Sequence, residues 1–280
     1  DEKKALLNVV IVGGGPTGVE VAGAIAEMKK FVLPKDYPDL NFDVMQITLI
    51  EGSSAVLGGM SKHASEKSIF YLKRLGITVR LNTRVTDFDG SILSIGDGTQ
   101  IETKTVIWAA GISGVVPEGL PEDSIGRGKR IIVDNYNRIK GFDDIYAIGD
   151  VSVMPTPAYP NGHPQVAQVA IQQGRNLAFN FLLMKRNSEL RPFKYIDRGS
   201  MATIGRNRAV ADLSFIKFSG FIAWLTWMFV HLMAIVGVKN RLLIFINWMW
   251  NYMTYDQSLR LILWAAKKDP TKIISPLDRK

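Results

Sequence analysis

The sequence predicts an α/β protein built on a parallel sheet, and three observations predict it. An apolar run from Leu7 to Val12 breaks into Gly13-Gly-Gly-Pro-Thr-Gly18 and then starts a helix. Apolar β-rich runs at 46–50 and 77–81 alternate with helical stretches, the order that a parallel sheet requires. Hydrophobic residues make up 47% of the 280, enough for sizeable cores. The chain has no cysteine, which excludes a disulfide framework, a thiolate metal site and a cysteine nucleophile.

The first βα turn carries the chemistry. Gly13, Gly15 and Gly18 fit the dinucleotide-binding pattern, and Gly14 lies between them. The first glycine makes a tight turn, the second lets backbone approach a pyrophosphate, and the third lets helix pack on strand. Pro16 stands where a first-turn proline is tolerated, and a helix over 19–30 offers its N-terminal amides to phosphate. The stretch from Phe31 to Asp43, interrupted by Pro34 and Pro38, reads as an irregular excursion. The strand over 46–50 ends at Glu51, the place for a carboxylate that accepts from the ribose hydroxyls of NAD. Glu51 would repel a 2′-phosphate and no arginine lies between it and Gly59, so NADH is expected over NADPH.

A helix follows over 61–75, with Ser61 as N-cap and Gly76 as its stop, and a third parallel strand runs over 77–81. A β-meander is expected over 84–88, 91–95 and 101–108, turning at Asp89-Gly90 and Asp97-Gly98. Trp108-Ala-Ala-Gly-Ile112 then places Ala110 and Gly111 where a strand end must admit a nucleotide. After a strand at 131–134, the run Ile145 to Asp150 reads as a short buried strand. Its Gly149-Asp150 end presents a carboxylate at the carboxyl edge. A helix over 164–183 opens with Gln165, Gln168, Gln172 and Gln173. Gln168 and Gln172 share one face, and a solvated helix surface is the alternative reading. His163 is left unassigned.

The net charge of +8 is uneven. Residues 191–280 hold 14 Lys and Arg against 5 Asp and Glu, and the same third holds most of the tryptophans, a pairing that suits an anionic membrane surface. No nucleic-acid-binding signature accompanies the basic excess, and no nucleic-acid partner is expected. Phe218 to Val238 runs 21 residues without Asp, Glu, Lys or Arg, between Lys217 and Lys239. Residues 241–255, with Asn247 and Asn251 four apart, read as an amphipathic helix, with Lys267, Lys268 and Lys272 beyond. A spanning helix, helices lying in the membrane interface and a dimerisation core are the three readings, and tryptophans flanked by lysines favour the interface. His231 lies on this apolar face and is left unassigned. The chain opens Asp-Glu-Lys-Lys with no starting Met, and a fragment is expected.

Taken together, Gly13-Gly-Gly-Pro-Thr-Gly-Val-Glu20, Trp108-Ala-Ala-Gly-Ile112, Tyr146-Ala-Ile-Gly-Asp150 and Ala167-Gln-Val-Ala-Ile-Gln172 resemble the type II NADH dehydrogenases, or NADH:quinone oxidoreductases. The resemblance runs along essentially the whole chain but starts at the family's NADH domain, with nothing matching the N-terminal FAD-binding half. It implies a two-dinucleotide-binding flavoprotein: a Rossmann-like NADH domain with its β-meander at 1–118, the C-terminal part of an FAD-binding domain at 119–205, and membrane-association helices at 206–280. It places the NADH pyrophosphate over Gly13, Gly15 and Gly18 and the adenosine ribose on Glu51. Glu20 matches a glutamate near nicotinamide and flavin, although the helix dipole alone favours an acid there. Asp150, beside Gly149, matches the carboxylate that bonds the FAD ribityl chain. Ala167, Gln168 and Gln172 match the segment beneath the isoalloxazine that borders the quinone pocket.

The implied reaction takes hydride from NADH to FAD and electrons on to a quinone, without metal and without proton pumping. The implied setting is monotopic, on the cytoplasmic face of a bacterial inner membrane, and a homodimer is compatible with it. Two rivals are a soluble FAD-dependent reductase of a protein acceptor such as a ferredoxin, and an NADH-binding fragment that is catalytically incomplete.

Overall fold

A computed structural model describes residues 2–254. After a short helix α1 (Glu2–Leu6), strand β1 (Asn8–Val12) enters a four-stranded parallel sheet ordered β3-β2-β1-β7, with β2 at Gln46–Ile50, β3 at Thr78–Arg80 and β7 at Thr105–Trp108. Side chains alternate across β1. Val9 and Ile11 face the core made with helices α2 (Pro16–Glu27) and α4 (Lys62–Arg74). Val10 and Val12 face Leu93 and Ile95 of the meander β4 (Val85–Phe88), β5 (Ile92–Ile95) and β6 (Gln100–Glu102). Both faces are covered, which is why β1 is apolar at consecutive positions.

Helix α2 ends three residues earlier than expected. Pro34 has no N–H to continue an α-helical ladder. The chain widens into a π-type turn over Met28–Val32, and Pro34 then sits in the first turn of α3 (Leu33–Asp36). The excursion is therefore helical as far as Asp36 and irregular beyond it. Helix α4 begins as expected, Ser61 Oγ accepting from the Ala64 amide, and Gly76 closes it at φ +81°.

The meander differs in one respect: the strand expected over 101–108 is two strands. Thr103 is buried between them, its hydroxyl donating to the carbonyl of Asn8 in the parallel sheet. Lys104 gives its amide to Ala5, so β6 stays in the meander and β7 crosses to pair with β1.

Short strands β8 (Ile125–Gly126), β9 (Arg130–Ile132) and β10 (Ser152–Val153) form a second sheet. The strand expected over 145–150 is not formed. Tyr146 makes a single bridge to Arg138, Ile145 and Ile148 are exposed, and the chain tightens into a 3-10 turn at Gly149–Val151. Gly149 at φ +71° cannot extend a strand. Helix α5 spans Ala167–Lys185 rather than starting at Pro164, because Val166 is still extended at φ −138°.

Strands β11 (Ser200–Thr203), β12 (Ala209–Asp212) and β13 (Lys217–Gly220) form an antiparallel sheet that packs on α2 and α4. Ala202, Ile204 and Val210 belong to the same core as Val9 and Ile11. The boundary expected at 205 therefore falls inside the β11–β12 hairpin. Glu20, Gly23 and Glu27 lie on one face of α2. Glu20 accepts from the Thr203 amide at 3.1 Å, and Glu27 accepts from the Arg206 amide. A β-carbon at Gly23 would come within 2.6 Å of the Gly205 nitrogen.

A first compact unit ends at Phe229 and a second begins at Val230, within helix α6 (Phe221–Ala234). Gly237, at φ +88°, separates α6 from α7 (Val238–Thr254), so the 21-residue apolar run is not one helix. No helix among the described residues is long and apolar enough to cross a membrane. Tyr255, Lys267, Lys268 and Lys272 lie outside the described residues.

Because the α2–β11 contact leaves no room for a methyl group, Gly23→Ala is expected to cost about 1–3 kcal/mol. Thermal denaturation should show a midpoint lower by roughly 5 °C at this chain length.

Candidate functional site

Two clusters gather the residues singled out in the sequence. The first lies at the carboxyl ends of β1, β2 and β7, where open parallel sheets bind ligands. Gly13 turns at φ +111°, and a β-carbon on it would press within 2.8 Å of the Ala109–Ala110 backbone. At Gly18 a β-carbon would overlap the Gly13 carbonyl oxygen, so this glycine lets α2 lie against the turn. Gly15 is different. It is the N-cap of α2, its backbone is extended, and nothing lies within 4 Å of the space a side chain would take. The first helical amides thus face an open groove, with no side-chain cap bonded to them.

Glu51 borders this groove. Its two carboxylate oxygens accept from the Gly14 amide at 2.6 Å and the Ser53 amide at 2.7 Å. Burial works against its ionisation, but the amides of Ser53 and Gly14 outweigh burial and hold its carboxyl below the ordinary glutamate value of 4.5. The stabilisation from this depressed pKa is present above pH 4.5 and is lost as pH falls through the lower folded-state value. Gly14 thus contributes by fixing Glu51, its own amide being taken. Ala110 and Gly111 follow β7, with Gly111 at φ +71° and the Ala110 carbonyl accepting from the Trp108 indole at 2.6 Å.

The second cluster surrounds the start of α5. Asp150 is exposed on its 3-10 turn, and Ala167 is exposed as the first residue of α5. Gln168 Nε2 donates to the Gly199 carbonyl at 3.1 Å, while its buried Oε1 has no hydrogen-bond partner. Gln172 makes a reciprocal pair with the Ile196 backbone, donating to its carbonyl and accepting from its amide, both at 2.9 Å. These glutamines, expected as solvated or site-facing, fasten the segment leading into β11. Glu20 belongs to neither cluster's rim: its carboxylate is bonded to the Thr203 amide and hydroxyl, at 3.1 and 3.3 Å.

Three residues of this region were given no role by the sequence reading. Gln173 is fully buried, and its Oε1 accepts from the Gly149 amide at 2.7 Å. Arg130 reaches the Ser152 carbonyl with two nitrogens, at 3.0 and 2.5 Å. Burial lowers its pKa while Asp150 pulls it back up. His163 is buried among Tyr159, Phe193 and Tyr195, with ring centroids 4.6 to 5.6 Å away, and neither ring nitrogen has a partner. Burial first, then the Arg130 charge, push its pKa below 6.5. Beside it burial and Asp197 push the Tyr195 hydroxyl up to about 12. Helical spacing separates Gln173 from Gln172 by face, but only a known inner face of α5 would have identified the buried one.

The chain was compared with known proteins. Residues 1–174 match the family model described as pyridine nucleotide-disulphide oxidoreductase, and residues 198–255 match the NDH2 C-terminal domain. The type II NADH:quinone oxidoreductases Ndh and NdhA of Mycobacterium tuberculosis are each 33% identical to it, across 89% and 90% of this chain and 55% of theirs. The mitochondrial internal alternative NAD(P)H-ubiquinone oxidoreductase A1 of Arabidopsis thaliana is 33% identical, over 90% of this chain and 52% of its own. The chain spans about half the length of these curated relatives. Among solved structures, NDH2 from Plasmodium falciparum in complex with NADH superposes with a TM-score of 0.81. At 22% identity it covers 90% of this chain and 67% of that one, a likeness of fold.

The glycine geometry separates two outcomes. Gly15→Val has room, so it is expected to leave the melting temperature within about 2 °C while weakening NADH binding at least about tenfold by calorimetry. Gly18→Ala is expected to destabilise the fold by on the order of 3 kcal/mol. His163 gives a pH signature. An unfolded histidine takes up a proton near 6.5 and the folded one only at a lower pH, so its contribution is whole above 6.5 and declines as pH falls toward the lower folded-state value. Melting between pH 7 and 5 should show this slope, at most about 1.4 kcal/mol per pH unit for one proton, and His163→Phe should remove it.

Proposed function

The chain belongs to the pyridine nucleotide-disulphide oxidoreductase family, carrying the C-terminal domain of the type II NADH dehydrogenases, and from this premise we propose that it serves NADH:quinone oxidoreduction through FAD. The observation that carries the proposal is the open N-terminus of α2 at Gly15, bordered by the amide-held carboxylate of Glu51.

In this reading Gly13, Gly15 and Gly18 seat the pyrophosphate and the α2 amides and dipole face its charge. Glu51, kept ionised by two amides, accepts from the adenosine ribose and repels a 2′-phosphate, which favours NADH. Ala110 and Gly111 keep the end of β7 small for the dinucleotide.

The residues of the second cluster fit a flavin. Asp150 projects from a turn with its carboxylate exposed, Gly149 keeps the backbone low, and Gln168 has a buried oxygen lacking a donor. Asp150 would hold the ribityl hydroxyls, and the start of α5 at Ala167 and Gln168 would lie under the ring system. The bound flavin supplies the two-electron redox chemistry. Gln172 borders the quinone side by holding in place the Ile196 segment that leads into β11. Glu20, whose carboxylate is bonded at Thr203, would act near the nicotinamide and flavin only as the family resemblance implies.

Exposed apolar side chains on α6 and α7 support docking to a membrane surface. On α7, Leu242, Ile246, Met249 and Met253 recur at helical spacing and are all exposed, as is Trp250. Lys239 and Arg241 lie near the start of the same helix, suited to anionic headgroups. The cytoplasmic face of a bacterial inner membrane and a homodimer complete this reading on the family resemblance alone.

The full-length protein should oxidise NADH with a short-chain quinone as acceptor, and Met249→Glu with Trp250→Glu should reduce its co-sedimentation with anionic vesicles at least about threefold. Turnover on a ferredoxin but none on quinone would overturn the proposal.

A further inference from the structure

We propose that Gln173 is a positioning residue for the Gly149–Asp150 turn, an inference that rests on the reading of Asp150 as a flavin ligand. Three polar ties hold this turn. The Gly149 amide donates to Gln173 Oε1 at 2.7 Å, the Gly149 carbonyl accepts from the Ser152 hydroxyl at 2.9 Å, and the Asp150 carbonyl accepts from Gln165 Nε2 at 3.0 Å. Together they occupy the backbone and leave the Asp150 side chain as the part turned to solvent.

The tie to Gln173 differs from the other long-range tie in being made by a side chain that is 1% exposed, where water cannot replace it. The other, from Gln165, is exposed. Gly149 stands at φ +71°, and a β-carbon there would press on Ala170 Cβ at 3.3 Å. Ala170 and Gln173 are one helical turn apart, so the same face of α5 both limits how closely the turn approaches and catches its amide. Without the Gln173 oxygen, the part-buried Gly149 N–H would lose its partner, and the turn would move to find water. Asp150, the next residue, would move with it.

Gln172 cannot substitute. Both ends of its carboxamide are engaged by Ile196, about 100° around the helix from Gln173. The two adjacent glutamines divide the work of α5: one fastens the segment entering β11, the other sets where Asp150 stands.

The test uses the full-length protein with Gln173→Met, which keeps length but removes the acceptor, and Gln173→Glu, which restores an acceptor. FAD affinity by fluorescence quenching, NADH affinity by calorimetry and hydrogen exchange at the Gly149 amide are measured. Gln173→Met is expected to weaken FAD binding about tenfold, in line with one lost hydrogen bond, and to speed exchange at Gly149. NADH affinity should stay within about twofold, and Gln173→Glu should recover most of the FAD affinity. In an Asp150→Asn background Gln173→Met should cost little more, since its effect passes through Asp150. FAD binding by Gln173→Met within about twofold of wild type, or an equal loss of FAD and NADH affinity, overturns the proposal. If Gln173→Met does not fold, Gln173→Asn, with its amide one methylene short, is held to the same tenfold loss. A wild-type protein that binds no FAD would instead overturn the flavin reading itself.

Discussion

The structure depends on how closely helix α2 can be laid down. Gly18 lets the helix touch the Gly13 turn, and from that seating its remaining faces are set by the 3.6-residue repeat. Val19, Ala22 and Ala26 go to the sheet. Glu20, Gly23 and Glu27 go to the C-terminal hairpin. The N-terminal amides go to the groove. A helix held a methyl group farther out would lose all three at once, because small side chains on both contacting faces leave nothing to bridge the gap.

Carboxylates play an unusual share of the joinery. Glu51 ties β2 to the glycine turn, Glu20 and Glu27 tie α2 to β11 and the turn after it, and Asp212 on β12 accepts from both the amide and hydroxyl of Ser61 at the start of α4. In each case an anion meets backbone N–H groups rather than a basic side chain, an arrangement stronger than a neutral hydrogen bond. It also locks geometry, because an amide has one direction. Ion pairs such as Lys62–Glu66 and Lys140–Asp123 lie toward solvent instead, where such pairs contribute little.

Much of this was legible in the sequence for a physical reason: the parallel sheet, the glycine turn, Ser61 and Glu51 are specified by residues close to one another along the chain. Two elements that differ from expectation have the opposite property. Whether 101–108 is one strand or two depends on Thr103 finding Asn8, 95 residues away. The apolar run 145–148 reads as a buried strand until Ile145 and Ile148 are seen exposed. The break at Gly237 is written locally, yet hydropathy averages over it. For the site, residue types were readable but partners were not. Glu20, Gln168 and Gln172 each had a sensible chemical role by type, and each bonds a backbone group outside its own helix, while Gln168 Oε1 keeps no partner. Gln173 could not be told from Gln172 because burial, which distinguishes the two, is a property of the packed helix.

The sharing of one core between β1 and the β11–β12 hairpin has a consequence for how the molecule is made. Val9 and Ile11 emerge from the ribosome some two hundred residues before Ala202, Ile204 and Val210, which close their core. Until then α2 has Glu20 and Glu27 without the amides they hold, and the Gly23 face is bare. The core around β1 is therefore translated well before it is completed. Its long-range closure makes folding slow and leaves an apolar surface waiting during synthesis, the interval in which such chains need chaperones.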